Sequence, residues 1–162
     1  MSSLKKHAQQ GFTIVELLIV IVVIGILAAL VITTYNGIQQ KGRNTERNTD
    51  LKAIQGQLEA YYAQKGFYPD SSNLGAGGVD GVNNVTFIKA DMKGLDKEAL
   101  RDPKGPVNNY SLGTTASATQ YGYAPTQDDG TTACTAAAGD CTKYKLFAQP
   151  EGGTLVTVES LN

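Results

Sequence analysis

GFTIVELLIVIVVIGILAALVI, running from Gly11 to Ile32, is the stretch on which the reading of the whole chain turns. After Gly11 only Thr13 and Glu16 interrupt its apolar character, and Leu17 to Ile32 is sixteen consecutive apolar or glycine residues. The twenty-one residues Phe12 to Ile32 make roughly 31 Å of helix, the thickness of a bilayer core. Lys5 and Lys6 stand just before the run. Short basic flanks stay cytoplasmic, so the N-terminus is expected inside and the bulk of the chain outside, against the competing pull of Lys41, Arg43 and Arg47. A cleavable secretory signal would end at a small-residue site, but the apolar character continues past Ala28 and Ala29 through Leu30, Val31 and Ile32. A buried core helix would be apolar on one stripe, whereas this run is apolar all round and the remaining chain is too small and polar to wrap it. A plain single-pass anchor leaves Glu16 unexplained. A carboxylate in such a helix costs about 2.5 to 3.5 kcal/mol at mid-bilayer, and the span holds no Lys or Arg to offset it.

The 162 residues suit one domain, and 14 Lys plus Arg against 15 Asp plus Glu give no global charge with which to hold an acidic or basic partner. One histidine, His7, no tryptophan and two cysteines leave little material for imidazole catalysis or a Cys/His zinc site. No paired-carboxylate or nucleophile-base constellation stands out, so an enzyme is the least supported reading. There is no internal repeat.

Beyond the apolar run, Thr33 to Arg47 is polar, with Gly37 and Gly42 in helix-weakening places. From Asn48 a helical stripe resumes, with Leu51, Ile54, Leu58, Tyr61 and Tyr62 three or four residues apart. Gly66 and Pro69 are stop signals, so a helix from Phe12 to about Gln64 is expected, roughly 80 Å long. Tyr61, Tyr62, Phe67 and Tyr68 then read as packing at the helix-to-loop corner. Phe67 to Asn109 is mostly loop, with short elements at Val85 to Ala90 and Lys97 to Leu100. Strand candidates follow at Asn109 to Leu112, Thr119 to Ala124, Lys143 to Gln149 and Leu155 to Glu159. The expected fold is α+β: a long N-terminal helix whose C-terminal half packs on a small antiparallel sheet of three or four strands. The expected divisions are 1–11, 12–32, 33–65 and a head at 66–162.

The combination of a basic leader, Gly11, Phe12, Glu16 four residues later and a long apolar run resembles the processing site of type IV prepilins. Asp50 to Ile54, Tyr61-Tyr62 and Gly66-Phe67-Tyr68-Pro69 are similar to the continuation in type IV pilins and the related major pseudopilins. The resemblance covers about the first seventy residues. It implies that a prepilin peptidase removes Met1 to Gly11, that Phe12 becomes the N-methylated terminus, and that Glu16 of one subunit neutralises the Phe12 amine of a neighbour. The mature chain would keep twelve basic residues against fifteen acidic, a net of −3, and no histidine. It also implies a pilin-like fold and a filament subunit, a homo-oligomer extracted from the cytoplasmic membrane by an assembly ATPase and its platform into a surface pilus for adhesion, twitching motility or DNA uptake. The alternatives are a pseudopilin of a type II secretion or competence system and, from another class, a membrane-anchored binding module that keeps its leader and never polymerises. With no Pro between Phe12 and Tyr68, any helix melting on assembly is expected between Gly25 and Gly42.

Type IV pilins often carry a C-terminal disulfide loop, and Cys134 and Cys141 resemble it; in an exported head an oxidising environment favours their bridge. Some major pseudopilins bind calcium near the C-terminal end, which makes Asp128, Asp129 and Asp140 candidate ligands, with solvated loop acids as the alternative and no cofactor otherwise expected. Lys143 and Lys145 alternate on one strand face and offer only a thin phosphate-binding surface, so specific nucleic-acid binding is not expected. Asn84-Val85-Thr86 and Asn109-Tyr110-Ser111 are glycosylation sequons, a short motif that also arises by chance.

Overall fold

The computed structural model describes residues 11–75, 82–134 and 141–162. One helix, α1 (Ile14–Lys65), runs through two compact units, the first ending at Gln39 and the second spanning Gln40–Asn162. In the first unit the helix is uncovered: every residue from Gly11 to Gln39 whose side chain is described is exposed. The second unit has its own core.

The start and stop of α1 follow from local chemistry. Thr13 stands before the first turn and its hydroxyl accepts from the Glu16 N–H at 3.2 Å, while the Glu16 carboxylate accepts from the Thr13 N–H at 2.9 Å. This reciprocal Thr-x-x-Glu arrangement is a capping box. At the other end Gly66 adopts φ +81°, open to a residue without a Cβ, and its N–H donates to the Tyr62 carbonyl at 2.8 Å. In the second unit Arg47, Leu51, Ile54, Leu58 and Tyr61 are buried, spaced four, three, four and three apart, so they share one helix face.

That face packs on a three-stranded antiparallel sheet, β1 (Gly122–Thr126), β2 (Lys143–Ala148) and β3 (Val156–Glu159), in the order β1-β2-β3. Tyr123 pairs with Leu146, and Leu146 with Val158, which sets alternate residues of β2 into the core: Tyr144, Leu146 and Ala148 are buried. Aromatic rings fill the corner where α1 ends. Tyr68 stacks on Tyr62 and meets Tyr144 edge-on, each with ring centroids 4.6 Å apart. Glu59 closes this corner, accepting from the Tyr68 and Tyr144 hydroxyls at 2.8 Å and from the Leu161 N–H at 3.2 Å.

The connecting elements are α2 (Ser71–Leu74), α3 (Val82–Asp91) and a 3-10 turn at Lys97–Leu100. The one-turn α2 lies where the sequence reads as connection; Asp70 caps it, its side chain accepting from the Ser72 and Asn73 N–H groups. Two strand expectations need correction. Asn109 to Leu112 is no strand, because its partners are single residues of different segments, such as the Leu112 N–H on the Leu74 carbonyl. The strand expected at Thr119 to Ala124 begins at Gly122 and continues through Pro125 to Thr126, because Thr119 and Gln120 belong to a turn closed by Ser117 and Gln120. Proline is tolerated in β1 because β1 is an edge of the sheet.

Candidate functional site

In the first unit the large apolar side chains from Phe12 to Ile38 keep between 47% (Val23) and 86% (Ile14) of their surface exposed. The helix is long and apolar enough to cross a membrane. Glu16, in the first turn of this surface, is bound within its own chain by the Thr13 N–H and, at 2.7 Å, by the Thr13 hydroxyl. Both are neutral donors, so among the described residues its negative charge has no opposite charge beside it. The sequence reading sought a charged partner and passed over Thr13; the Thr-x-x-Glu spacing was the available signal. Gly11 precedes the helix, and among the described residues nothing beyond its chain neighbour crowds it. The rest of the expected leader lies outside the described residues.

In the second unit the first turns of the helix are tied to two loops by charge. The Arg47 side chain is buried to 1% exposure and forks onto Asp102, which is fully buried, at 2.7 and 3.0 Å. Asp102 raises the affinity of this guanidinium for its proton, first by hydrogen bonding, and also turns its own loop by accepting from the Lys104 N–H at 2.8 Å. Glu151 accepts from Arg43 at 2.5 and 3.0 Å and from Lys104 at 3.0 Å, and these bonds, Arg43 first, draw its carboxyl down to about 2. Backbone and amide contacts from Glu151 to Gln40 and Asn44 complete the tie. Two of the basic residues that compete with the inside-positive leader are therefore matched by carboxylates of the folded head. One helical turn on, the Asp50 carboxylate accepts from the Tyr121 hydroxyl at 2.7 Å. Burial pushes Asp50 up to about 6 against that hydrogen bond, and burial pushes the Tyr121 phenol up as well.

Cys134 and Cys141 form a disulfide, Cα atoms 5.2 Å apart, and both are buried in the core. The Cys141 carbonyl accepts from the Tyr68 N–H at 2.7 Å, so the bridge is fastened to the corner where α1 ends. The loop it closes, including Asp140, lies outside the described residues. Asp129 turns its own loop, its carboxylate accepting from the Thr132 hydroxyl and from the N–H groups of Thr131 and Thr132, which hold it well below the usual carboxylate range. Among the described residues no three His, Cys, Asp or Glu side chains gather as a metal site, and Asp128 and Asp129 acquire no third ligand there. Lys143 donates to the Asn162 carbonyl and Lys145 pairs with Glu159 at 3.4 Å, so both lysines are engaged within the head.

Residues 6–32 match the prokaryotic N-terminal methylation motif. The chain is 34% identical over 123 residues to type II secretion system core protein G of Pseudomonas aeruginosa, covering 68% of this chain and 87% of that one. The chain belongs to the type IV pilin family. It is also 38% identical over 64 residues to the type IV major pilin protein PilA of Myxococcus xanthus, covering 40% of this chain and 29% of that protein. To fimbrial protein EcpC of Eikenella corrodens it is 36% identical over 94 residues, 56% of this chain and 61% of that one. The matches to these last two thus span less than two thirds of those relatives' length. No solved structure matches the chain. The motif shared across the family holds Gly11, Phe12 and Glu16, whereas the buried Arg47–Asp102 pair lies beyond it.

Proposed function

We propose that this pilin-family chain is a structural filament subunit with no catalytic role, held in the membrane by Phe12 to Ile32 and then polymerised into a surface pilus. The observation that carries the reading is the contrast within one helix: an apolar surface exposed from Phe12 to Ile38, attached to a head whose core is complete. Such a surface requires lipid or further copies of itself, and helical packing of many copies removes it from both water and lipid.

In this reading a prepilin peptidase cuts after Gly11 and Phe12 is N-methylated. The new amine supplies the charge that Glu16 lacks in its own chain, in a setting where an unpaired charge is strongly unfavourable. Thr13 holds the carboxylate at the helix start meanwhile. An assembly ATPase and its platform would do the work of extraction. Electron microscopy of sheared surface material, labelled with antibody to the head, tests this: decorated filaments are expected, and their absence from cells that express the chain contradicts it.

A second reading is favoured by the secretion-protein relatives, of which the alignments cover 76% and 87% for the Aeromonas hydrophila and Pseudomonas aeruginosa proteins. There the same helix builds a short filament of a secretion or DNA-uptake system. Processed chain confined to the membrane fraction, with an export or uptake defect on deletion, would favour it.

A further inference from the structure

A cleft of about 340 Å³ opens within the second unit, between the last turns of α1 and the segment that follows α3. Gln57, Tyr61, Gln64 and Lys65 line one wall, spaced four, three and one residues apart, so the helix presents them on one face. Asp91, Lys93 and Gly94 line the other. Both walls are anchored in the core: Leu58 and Tyr61 of the helix and Met92 and Leu95 of the facing segment are buried, and the Leu95 N–H donates to the Met92 carbonyl at 2.9 Å. A Cβ at Gly94 would stand 2.5 Å from the Gln57 amide nitrogen, so glycine is what lets this amide reach the opposite wall. The polar groups of the cleft are largely unspent. Lys65 pairs with Asp91 at 3.3 Å, which leaves one carboxylate oxygen and two ammonium hydrogens over. Lys93 makes no ion pair, and Gln57 and Gln64 make no hydrogen bond, among the described residues. Asp70, the other carboxylate that acts on Tyr61, is not part of the lining and caps α2. The lining therefore carries one unmatched positive charge. Its donors also outnumber its acceptors, since an ammonium carries donors alone and an amide two donors with one acceptor group.

We propose that this cleft binds a small hydroxylated carboxylate of the sugar-acid class. The ligand's carboxylate would meet Lys93 and the remaining Lys65 N–H groups, and its hydroxyls would pair with the Gln57 and Gln64 amides and the spare Asp91 oxygen. The volume sits at the lower end for small-molecule sites, roughly 300 to 1,000 Å³, which is room for a sugar ring and more than a bare ion needs. A nucleotide would bring more negative charge than Lys93 matches. The site lies wholly in the head and depends on neither the membrane-spanning nor the filament reading. Copies arrayed in a filament would add avidity to a weak single site.

Saturation-transfer NMR on the full-length chain, in micelles of a zwitterionic detergent without sugar groups, tests this by titration with D-glucuronate. Saturable binding is expected, weakened about tenfold by Lys93→Ala through loss of one charge-assisted contact. Gly94→Ala, whose methyl displaces the Gln57 amide, should weaken it severalfold with no change of charge. Lys52→Ala removes the same charge from an exposed helix position outside the cleft and should leave binding unchanged. Glucose, which lacks the carboxylate, and acetate, which lacks the hydroxyls, should each bind about tenfold more weakly than glucuronate. Lys93 is exposed, so its replacement should leave the head folded, which thermal melts by circular dichroism would check. Absence of saturable glucuronate binding overturns the proposal, as does an equal loss from Lys52→Ala and Lys93→Ala. Glucose or acetate binding as tightly as glucuronate overturns it too.

Discussion

The two halves of α1 face opposite problems with the same backbone. From Leu17 to Ile32 the helix is apolar all round, and Glu16, the acidic side chain just before that run, has only neutral donors beside it among the described residues. From Gln40 to Lys65 one stripe is buried and even its arginine, Arg47, is sealed against a carboxylate within the head. The second half has its partner inside the fold. The first half carries an unmet demand, and a subunit whose unmet demand lies on one helix is suited to exchange lipid for copies of itself without refolding its head.

If that contrast is right, substitutions in the two halves should separate assembly from stability. Glu16→Ala should leave processing and membrane insertion intact while lowering sheared filament by about tenfold or more, the loss expected when an amine stays unpaired in an apolar filament core. Immunoblots of sheared and membrane fractions would measure it, and normal filament yield from Glu16→Ala would rule out the pairing model. Arg47→Ala leaves Asp102 buried without its charge partner and should cost the head about 3 to 5 kcal/mol in urea unfolding of the full chain in detergent. Leu58→Ala should cost about 3 kcal/mol through the cavity it leaves. The matched Leu27→Ala, on the exposed half, should leave head stability unchanged; an equal loss from both would erase the comparison.

Smaller effects sharpen the picture inside the head. Replacing Cys134 and Cys141 with Ser should cost about 2 to 3 kcal/mol, read as a lower urea midpoint. The acidic groups should give pH effects of opposite sign. Asp50 has its folded pKa raised from 3.8 to about 6, so the folded state binds more protons in that window and this group's contribution to stability falls as pH rises from about 4 to 6. Glu151 has its folded pKa lowered from 4.5 to about 2, so its contribution is complete above about 4.5 and is lost as pH falls towards 2. Thermal unfolding across pH 2 to 7 should therefore lose its slope between about 4 and 6 in Asp50→Asn, with the acid-side slope retained. An unchanged profile in Asp50→Asn would show that Asp50 does not titrate as its burial requires.

How much of this was legible in the sequence depended on how far apart the interacting residues lie. The apolar run, the Leu51–Tyr61 stripe and the stop at Gly66 are local patterns, and the helix follows them closely. The alternation in Lys143-Tyr144-Lys145-Leu146-Phe147-Ala148 likewise fixed β2 and its buried face. Two local signals were present and missed: Thr13 as the capping partner of Glu16, and Asp70 as the cap that makes Ser71–Leu74 helical. β1 was displaced because Pro125 argues against a strand unless its edge position is known. Arg47 with Asp102, fifty-five residues apart, left no pattern at all, and an arginine in a polar stretch reads as solvated until the fold supplies its carboxylate. The residues expected to carry processing and assembly sit within six positions of one another, from Gly11 to Glu16, so their pattern is local.

The most direct measurement is the intact mass and N-terminal peptide of the chain in the fraction sheared from the cell surface. A principal species beginning at N-methylated Phe12, two hydrogens light for the Cys134–Cys141 bridge, is the expected result. A surface species that still carries Met1 to Gly11 would contradict the claim that the exposed half of α1 is built, after processing, to be shared among copies.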